Sequence, residues 1–253
     1  MNRMITIFTM VFVVIFSSFI TGCAPRMEDK TLTVGAASSH YFVFQEIGKE
    51  FEKEYGIKVD YNFGATGLLY QQFRQGGPMD VFASADVLHV DRLVEEGIID
   101  QEVQELYARG RLVIISPGED VVRLEDLDKE NIDIIAIANP EHAPYGRAAK
   151  QALENKGIWE KLSEKIIFGS NLRDAQRYVE SGEADAAIIS LSMIKEQDES
   201  AYYVIDENLH EPIDQKIGVV KNAIAKDEAI KFFEFVTRSE KGKEIMKDYG
   251  FSL

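Results

Sequence analysis

The sequence predicts an α/β protein of two lobes, each a mostly parallel sheet flanked by helices. Short apolar runs alternate with helical stretches of roughly 10–15 residues, the pattern of strands joined by helical crossovers. Breaks near Pro117 and Lys216 divide that alternation, so the chain is expected to cross between lobes twice. The chain has 253 residues, enough for two modest cores. On this reading residues 31–115 and 217–253 form the first lobe and residues 116–216 the second.

Leu32-Thr33-Val34 reads as the first strand. Tyr41 to Tyr55 has helical spacing, with Phe44, Ile47 and Phe51 on one face and Gly56 just past its end. Ile57 to Phe63 alternates as a strand, and Leu68 to Gln75 is a short helix closed by Gly76-Gly77-Pro78. Asp80 to Ala85 is a strand, Val87 to Glu96 a helix stopped by Gly97, and Arg111 to Ser116 an apolar strand ended by Pro117-Gly118. Further strands are expected at Ile132 to Ala138, Ile166 to Phe168, Ala186 to Ser190, Tyr202 to Ile205 and Lys216 to Val220. Helices are expected at Tyr145 to Asn155, Leu172 to Ser181, Leu191 to Glu196, Asp227 to Thr237 and Ser239 to Tyr249.

The N-terminus is a separate object. Arg3 precedes an almost wholly apolar run from Ile5 to Ile20, about 16 residues where a membrane span needs ~20. A charged start, a short apolar run and small residues after it describe a secretory signal over residues 1–22. The single cysteine closes it in Ile20-Thr21-Gly22-Cys23, which resembles the bacterial lipobox. The resemblance implies cleavage before Cys23, lipidation of that residue and a tether over residues 23–30. The alternative is an uncleaved anchor with an incidental cysteine. Two acyl chains hold a protein stably on a membrane, which places the mature chain outside the cytoplasmic membrane.

Composition narrows the function. Lys plus Arg number 28 against 43 Asp plus Glu, a net charge of −15, which argues against a nucleic-acid partner. One cysteine rules out an intrachain disulfide and a cysteine-built metal centre. His40, His89, His142 and His210 do not pair at metal-ligand spacing, and His89 within its helix reads as solvated. No nucleophile elbow, P-loop or dinucleotide fingerprint is present, so no enzyme activity and no cofactor are expected. Tyr202-Tyr203 could resemble the tyrosine pair of ferric-ion binding proteins, but adjacent strand residues face opposite ways, which favours structural use.

Small polar or backbone-exposing residues recur where a strand hands over to a helix: Ser38-Ser39, Ala65-Thr66-Gly67, Pro144-Tyr145-Gly146 and Ser170-Asn171-Leu172. In an α/β sheet such junctions gather at the carboxyl edge of the strands. Their free amides lie at the positive ends of helix dipoles and can hold an anion without Lys or Arg. Ser and Thr are also ordinary N-caps, so spacing alone leaves both readings open.

The run Leu32 to Ser39, the segment Gln75 to Asp86 and Asn139-Pro140-Glu141-His142-Ala143-Pro144-Tyr145-Gly146 resemble the molybdate-binding proteins of bacterial ABC importers. Gly157-Ile158-Trp159, Asn171-Leu172-Arg173, Val179 to Ala184 and Tyr249-Gly250-Phe251 match in order. The resemblance implies a type II periplasmic-binding-protein fold with the ligand cleft between its lobes. It also implies oxyanion contacts from Ser39 and Thr66 in the first lobe and from the amides of Tyr145 and Leu172 in the second. The family's fifth donor is a tyrosine, where this chain has Ser190, too short to reach the same point directly; water or the Tyr145 hydroxyl are the candidate substitutes. Molybdate or tungstate would be the ligand, a membrane permease the partner, and the protein a monomer. Another oxyanion or solute on the same scaffold, or a sensory lipoprotein, is the alternative.

Cys23→Ser should release the protein or leave its precursor unprocessed. Fractionation with mass analysis of the N-terminus checks this; a variant still processed and membrane-held would contradict lipidation at Cys23.

Overall fold

Leu32, Val34 and Ala36 have no exposure in β1 (Thr31–Ala37), and neither do Val81, Phe82 and Ala83 in β3 (Val81–Ser84). Strands this apolar demand cover on both faces, which is the condition for parallel pairing within an α/β layer. The computed structural model describes residues 31–118, 121–194 and 201–252. Cys23 and its tether, and the end of the helix expected at Leu191 to Glu196, lie outside the described residues.

Around β1 the first sheet runs β2–β1–β3–β10–β4, with β2 at Lys58–Gly64, β4 at Ile99–Gly110 and β10 at Ile213–Val220. β1 is parallel to β2 and β3, in a register that sets Ala37 beside Gly64 and Ala36 beside Ala83. β10 is antiparallel to β3 and β4. Helices α1 (Tyr41–Tyr55), α2 (Thr66–Arg74) and α3 (Val87–Glu95) flank this sheet, and α7 (Lys226–Thr237) and α8 (Glu240–Asp248) complete it. The α1–α7 contact is aromatic: the rings of Phe51 and Phe232 meet edge to face at 5.3 Å, those of Phe44 and Phe232 at 5.9 Å.

The second sheet repeats the plan as β7–β6–β8–β5–β9. Its strands are β5 (Leu112–Ile115), β6 (Ile135–Ala138), β7 (Ile166–Gly169), β8 (Ala186–Ser190) and β9 (Tyr203–Val204). β6 is parallel to β7 and β8, whereas β5 is antiparallel to β8 and β9. Helices α4 (Pro144–Asn155), α5 (Trp159–Leu162) and α6 (Leu172–Glu180) flank it. Thr31–Leu253 forms one compact unit containing both sheets.

Several expectations are corrected or completed. Each sheet is mixed, because the strand that arrives from the other sheet enters antiparallel. The long β4 is not announced by the sequence, since Gln101, Glu102 and Arg109 are exposed and its apolar positions are sparse. The expected lobe boundaries at Ser116 and Lys216 are displaced. All of β5 pairs in the second sheet, so the first crossing is at Gly110–Arg111, and Ile213 already pairs with Gly110 in the first sheet. The helix expected at Leu191 begins as a 3₁₀ turn, Leu191–Met193.

Gly146 seats α4 on the end of β6: a Cβ there would collide with the Ala138 carbonyl oxygen. Backbone cannot retreat as a flexible side chain can, so Gly146→Ala should destabilise by roughly 1–3 kcal/mol or more. Urea unfolding measures this, and an unchanged midpoint would refute the close approach.

Candidate functional site

The carboxyl ends of the parallel strands carry turns that meet between the sheets. β1 leads into a 3₁₀ turn, Ser38–His40, and then α1; β2 leads through Ala65 into α2; β6 leads through Ala143 into α4; β7 leads through Asn171 into α6. Ser39, Thr66, Tyr145 and Leu172, expected from the sequence to converge, line one small pocket. Ala37, Ala65 and Ala143 line it as well, and no charged residue does.

Those three alanines are N-cap residues. Alanine cannot accept from the first-turn amides, and such caps cost about 1 kcal/mol relative to Ser, Asp or Asn. The turn after Ala37, α1, α2 and α4 have neither a side-chain cap bond nor an acidic residue in the first turn. Other helices are capped in the usual way, with Asp86 on α3, Ser239 on α8 and Asn171 on α6, the fourth start at the pocket, which also carries Asp174 in its first turn. α7 also starts on alanine but carries Asp227 and Glu228 in its first turn. The uncapped, unneutralised starts therefore collect at the pocket, and their dipoles leave it electropositive without a cation.

Side chains extend this wall. Thr66 Oγ1 accepts from the Ala85 amide at 3.2 Å, which leaves its own proton to donate. The Leu172 amide donates to Ser38 Oγ at 3.1 Å, so Ser38 bridges the two sheets and its proton remains available. Adjacent serines at 38 and 39 gave no sequence signal as to which would reach across. Gly67 N donates to the His142 carbonyl at 2.8 Å, a second bond between the sheets.

Ser190 is not among the residues lining the pocket. Ser192 Oγ donates to the Ser39 carbonyl at 2.7 Å, so in the 2.7 Å contact between the two serine hydroxyls Ser190 is the donor. The proton of Ser190 is thereby committed. Tyr145 is buried at 1% exposure, with its ring turned inward. Burial pushes its pKa up, opposed by the nearby hydroxyls of Ser190 and Ser39.

Beneath the first turn, His40 is completely buried. Its Nδ1–H donates to the Ala37 carbonyl at 3.2 Å, and Nε2 accepts from the Tyr107 hydroxyl at 2.6 Å. Burial lowers its pKa to about 3, so it is a neutral strut. His89, read from the sequence as solvated, is instead buried: its Nδ1–H donates to the Asp86 carboxylate at 2.8 Å. Asp86 also pairs with Arg147 of α4 at 2.6 Å, joining the two sheets beside the pocket. Burial raises the Asp86 pKa, but the His89 bonds and the Arg147 charge outweigh it and hold the carboxyl below its usual value. Among the described residues no cluster of three or more His, Cys, Asp or Glu is placed to hold a metal ion.

Residues 32–252 match the family of bacterial extracellular solute-binding proteins. The chain is 31% identical to the molybdate-binding protein ModA of Rhodobacter capsulatus over 210 residues, 82% of either chain. It is 27% identical to the putative ABC transporter substrate-binding lipoprotein YvgL of Bacillus subtilis, over 96% of this chain and 97% of that one. The periplasmic molybdate-binding protein of Azotobacter vinelandii superposes with a TM-score of 0.83 at 30% identity, covering 88% of this chain and 99% of that one.

The neutral His40 strut makes stability depend on pH. Its pKa is about 3 folded against 6.5 for the free side chain, so the unfolded chain binds the proton more readily between those values. Stability is therefore full above pH 6.5 and falls as pH drops toward 3, by up to about 1.4 kcal/mol per pH unit. His40→Gln, which cannot titrate, should flatten the melting-temperature profile between pH 6.5 and 4 relative to the parent. Parallel profiles would remove His40 as the source.

Proposed function

The chain belongs to the family of bacterial extracellular solute-binding proteins, and on that premise we propose that it captures molybdate or tungstate outside the cytoplasmic membrane and delivers it to an ABC importer. The observation that carries this reading is the pocket wall: three alanine-capped turns, hydroxyl donors at Ser38, Ser39 and Thr66, and no charged side chain. Such a wall suits a ligand that only accepts hydrogen bonds.

Molybdate and tungstate carry no proton at neutral pH, so each oxygen accepts. Phosphate retains one, and its hydroxyl would face a donor. A mismatch of buried polar groups is the stronger form of discrimination. Sulfate is also unprotonated and is distinguished only by size. The contacts from Ser38 to Leu172, from Gly67 to His142 and from Asp86 to Arg147 support closure of the lobes around the ion. The closed face is then the surface offered to the permease. Lipid attachment at Cys23 belongs to the same reading, supported by the Ile20 to Cys23 motif and by the lipoprotein relative from Bacillus subtilis.

Ligand that binds only the folded chain stabilises it by about 4 kcal/mol at a thousandfold excess over Kd. Melting should therefore rise clearly with molybdate or tungstate, less with sulfate and hardly with phosphate. Equal shifts with phosphate would overturn the all-donor site, and a shift with sulfate alone would reassign the ligand.

A further inference from the structure

Phe42 stands on α1, in the first lobe, yet it packs against the hydrophobic cluster built on the second sheet. The neighbouring ring, Tyr41, meets Phe42 edge to face at 5.1 Å and Phe63 of β2 at the same distance. The ring pair is therefore fixed from its own side. Opposite it stands Arg173, in the first turn of α6, with its guanidinium 5.4 Å from the centroids of both the Tyr41 and the Phe42 ring. Arg173 is fixed from its side as well. Its Nη1 donates to Gln176 Oε1 at 2.9 Å and to Glu180 Oε1 at 3.1 Å, both along one face of α6. Gln176 in turn donates to the Met193 carbonyl at 3.3 Å, in the turn that follows β8.

Each half of this contact is thus held by partners within its own lobe. Separating the lobes breaks the cation–π contact and uncovers Phe42, while the supports of both halves stay in place. Such a contact stabilises the closed arrangement alone. It also sits next to the pocket wall: Arg173 follows Leu172, and Tyr41 stands two residues after Ser39, both of which line the pocket. Arg173 itself is not among the lining residues, and its charge is engaged by the rings and by Glu180. It can slow the escape of an ion without touching it. We propose that Arg173, clasped over Tyr41 and Phe42, is a positioning residue that holds the lobes shut and sets the residence time of the bound oxyanion. This rests on the oxyanion reading above and deepens it. A cation over an aromatic face contributes modestly where water has access and more where it is excluded, which is the scale of a clasp that must still open to deliver the ion.

Calorimetric titration of the full-length chain with molybdate gives Kd, and exchange of radiolabelled molybdate against unlabelled excess gives the release rate; together they give the association rate. Arg173→Gln removes the cation and keeps a side chain able to bond along α6. It should speed release by about three- to tenfold and leave association within about twofold. Arg173→Lys restores the charge without the planar face and should recover part of the loss. Replacing both rings, Tyr41→Leu with Phe42→Leu, should speed release to a similar extent. Combining that change with Arg173→Gln should add little, because the partners act as one contact. Ligand-free melting of Arg173→Gln should stay level. Unchanged release in Arg173→Gln overturns the proposal, and so do additive effects of the two halves. Faster release accompanied by lower ligand-free melting overturns it as well, since that is the signature of a packing role. Slower association with unchanged release makes Arg173 an entry charge and likewise overturns it. All of these leave oxyanion capture intact, whereas a parent chain that does not bind molybdate removes the underlying reading and the proposal with it.

Discussion

Helix starts left without a capping side chain are the constraint on which the rest of this molecule turns. Each forgoes about 1 kcal/mol of local stability, and three such starts meet in one pocket. Much of the surrounding architecture serves to hold them there. Gly146 lets α4 sit directly on the Ala138 carbonyl, and the buried His40 braces the Ala37 carbonyl from below. The identical strand plan of the two sheets brings their carboxyl edges face to face. The pocket is electropositive because of how backbone is arranged, in a chain whose net charge is −15.

Much of the fold was legible because its signals are local. Apolar spacing and the glycines at 56 and 97 place the ends of α1 and α3 within a residue or so. The junctions that line the pocket were visible as strand-to-helix hand-overs with small residues. What escaped has a different physical basis. Strand direction is not encoded in periodicity, so the antiparallel entries of β5 and β10 were hidden. β4 is polar along much of its length and lacks the apolar run that announces a strand. The burial of Tyr145 depends on Gly110, a residue remote in sequence whose relevant property is an absent side chain, since a Cβ there would collide with the Tyr145 hydroxyl. His89 was the avoidable miss: Asp86 stands three residues before it at a helix start, the spacing of a cap that can also hold an imidazole.

The contacts between the two sheets are few and chemically distinct. Ser38 joins Leu172 and Ser192 joins Ser39 through hydroxyls, Gly67 joins His142 through backbone, and Asp86 joins Arg147 through charge. Arg173 of α6 adds a cation–π contact, its guanidinium 5.4 Å from the rings of both Tyr41 and Phe42. Neutral bonds line the pocket while the ion pair stands beside it, with Arg147 partly exposed. An arrangement of this kind keeps strong charges out of the anion's immediate surroundings, where an Asp86 carboxylate would repel it and an Arg147 guanidinium would hold it without regard to its proton count.

A wall made of main-chain amides has an evolutionary consequence. On the oxyanion reading, positions 145 and 172 contribute through backbone amides, that of Leu172 acting through Ser38 Oγ, so their side chains can change without erasing those groups. Tyr145 and Leu172 can therefore vary in shape and reach while the charge-holding groups persist through each step. A lineage can move between anions of different size through intermediates that all still bind, instead of crossing a sequence that binds nothing. Robust capture and adjustable selectivity are thus assigned to different parts of the same residues.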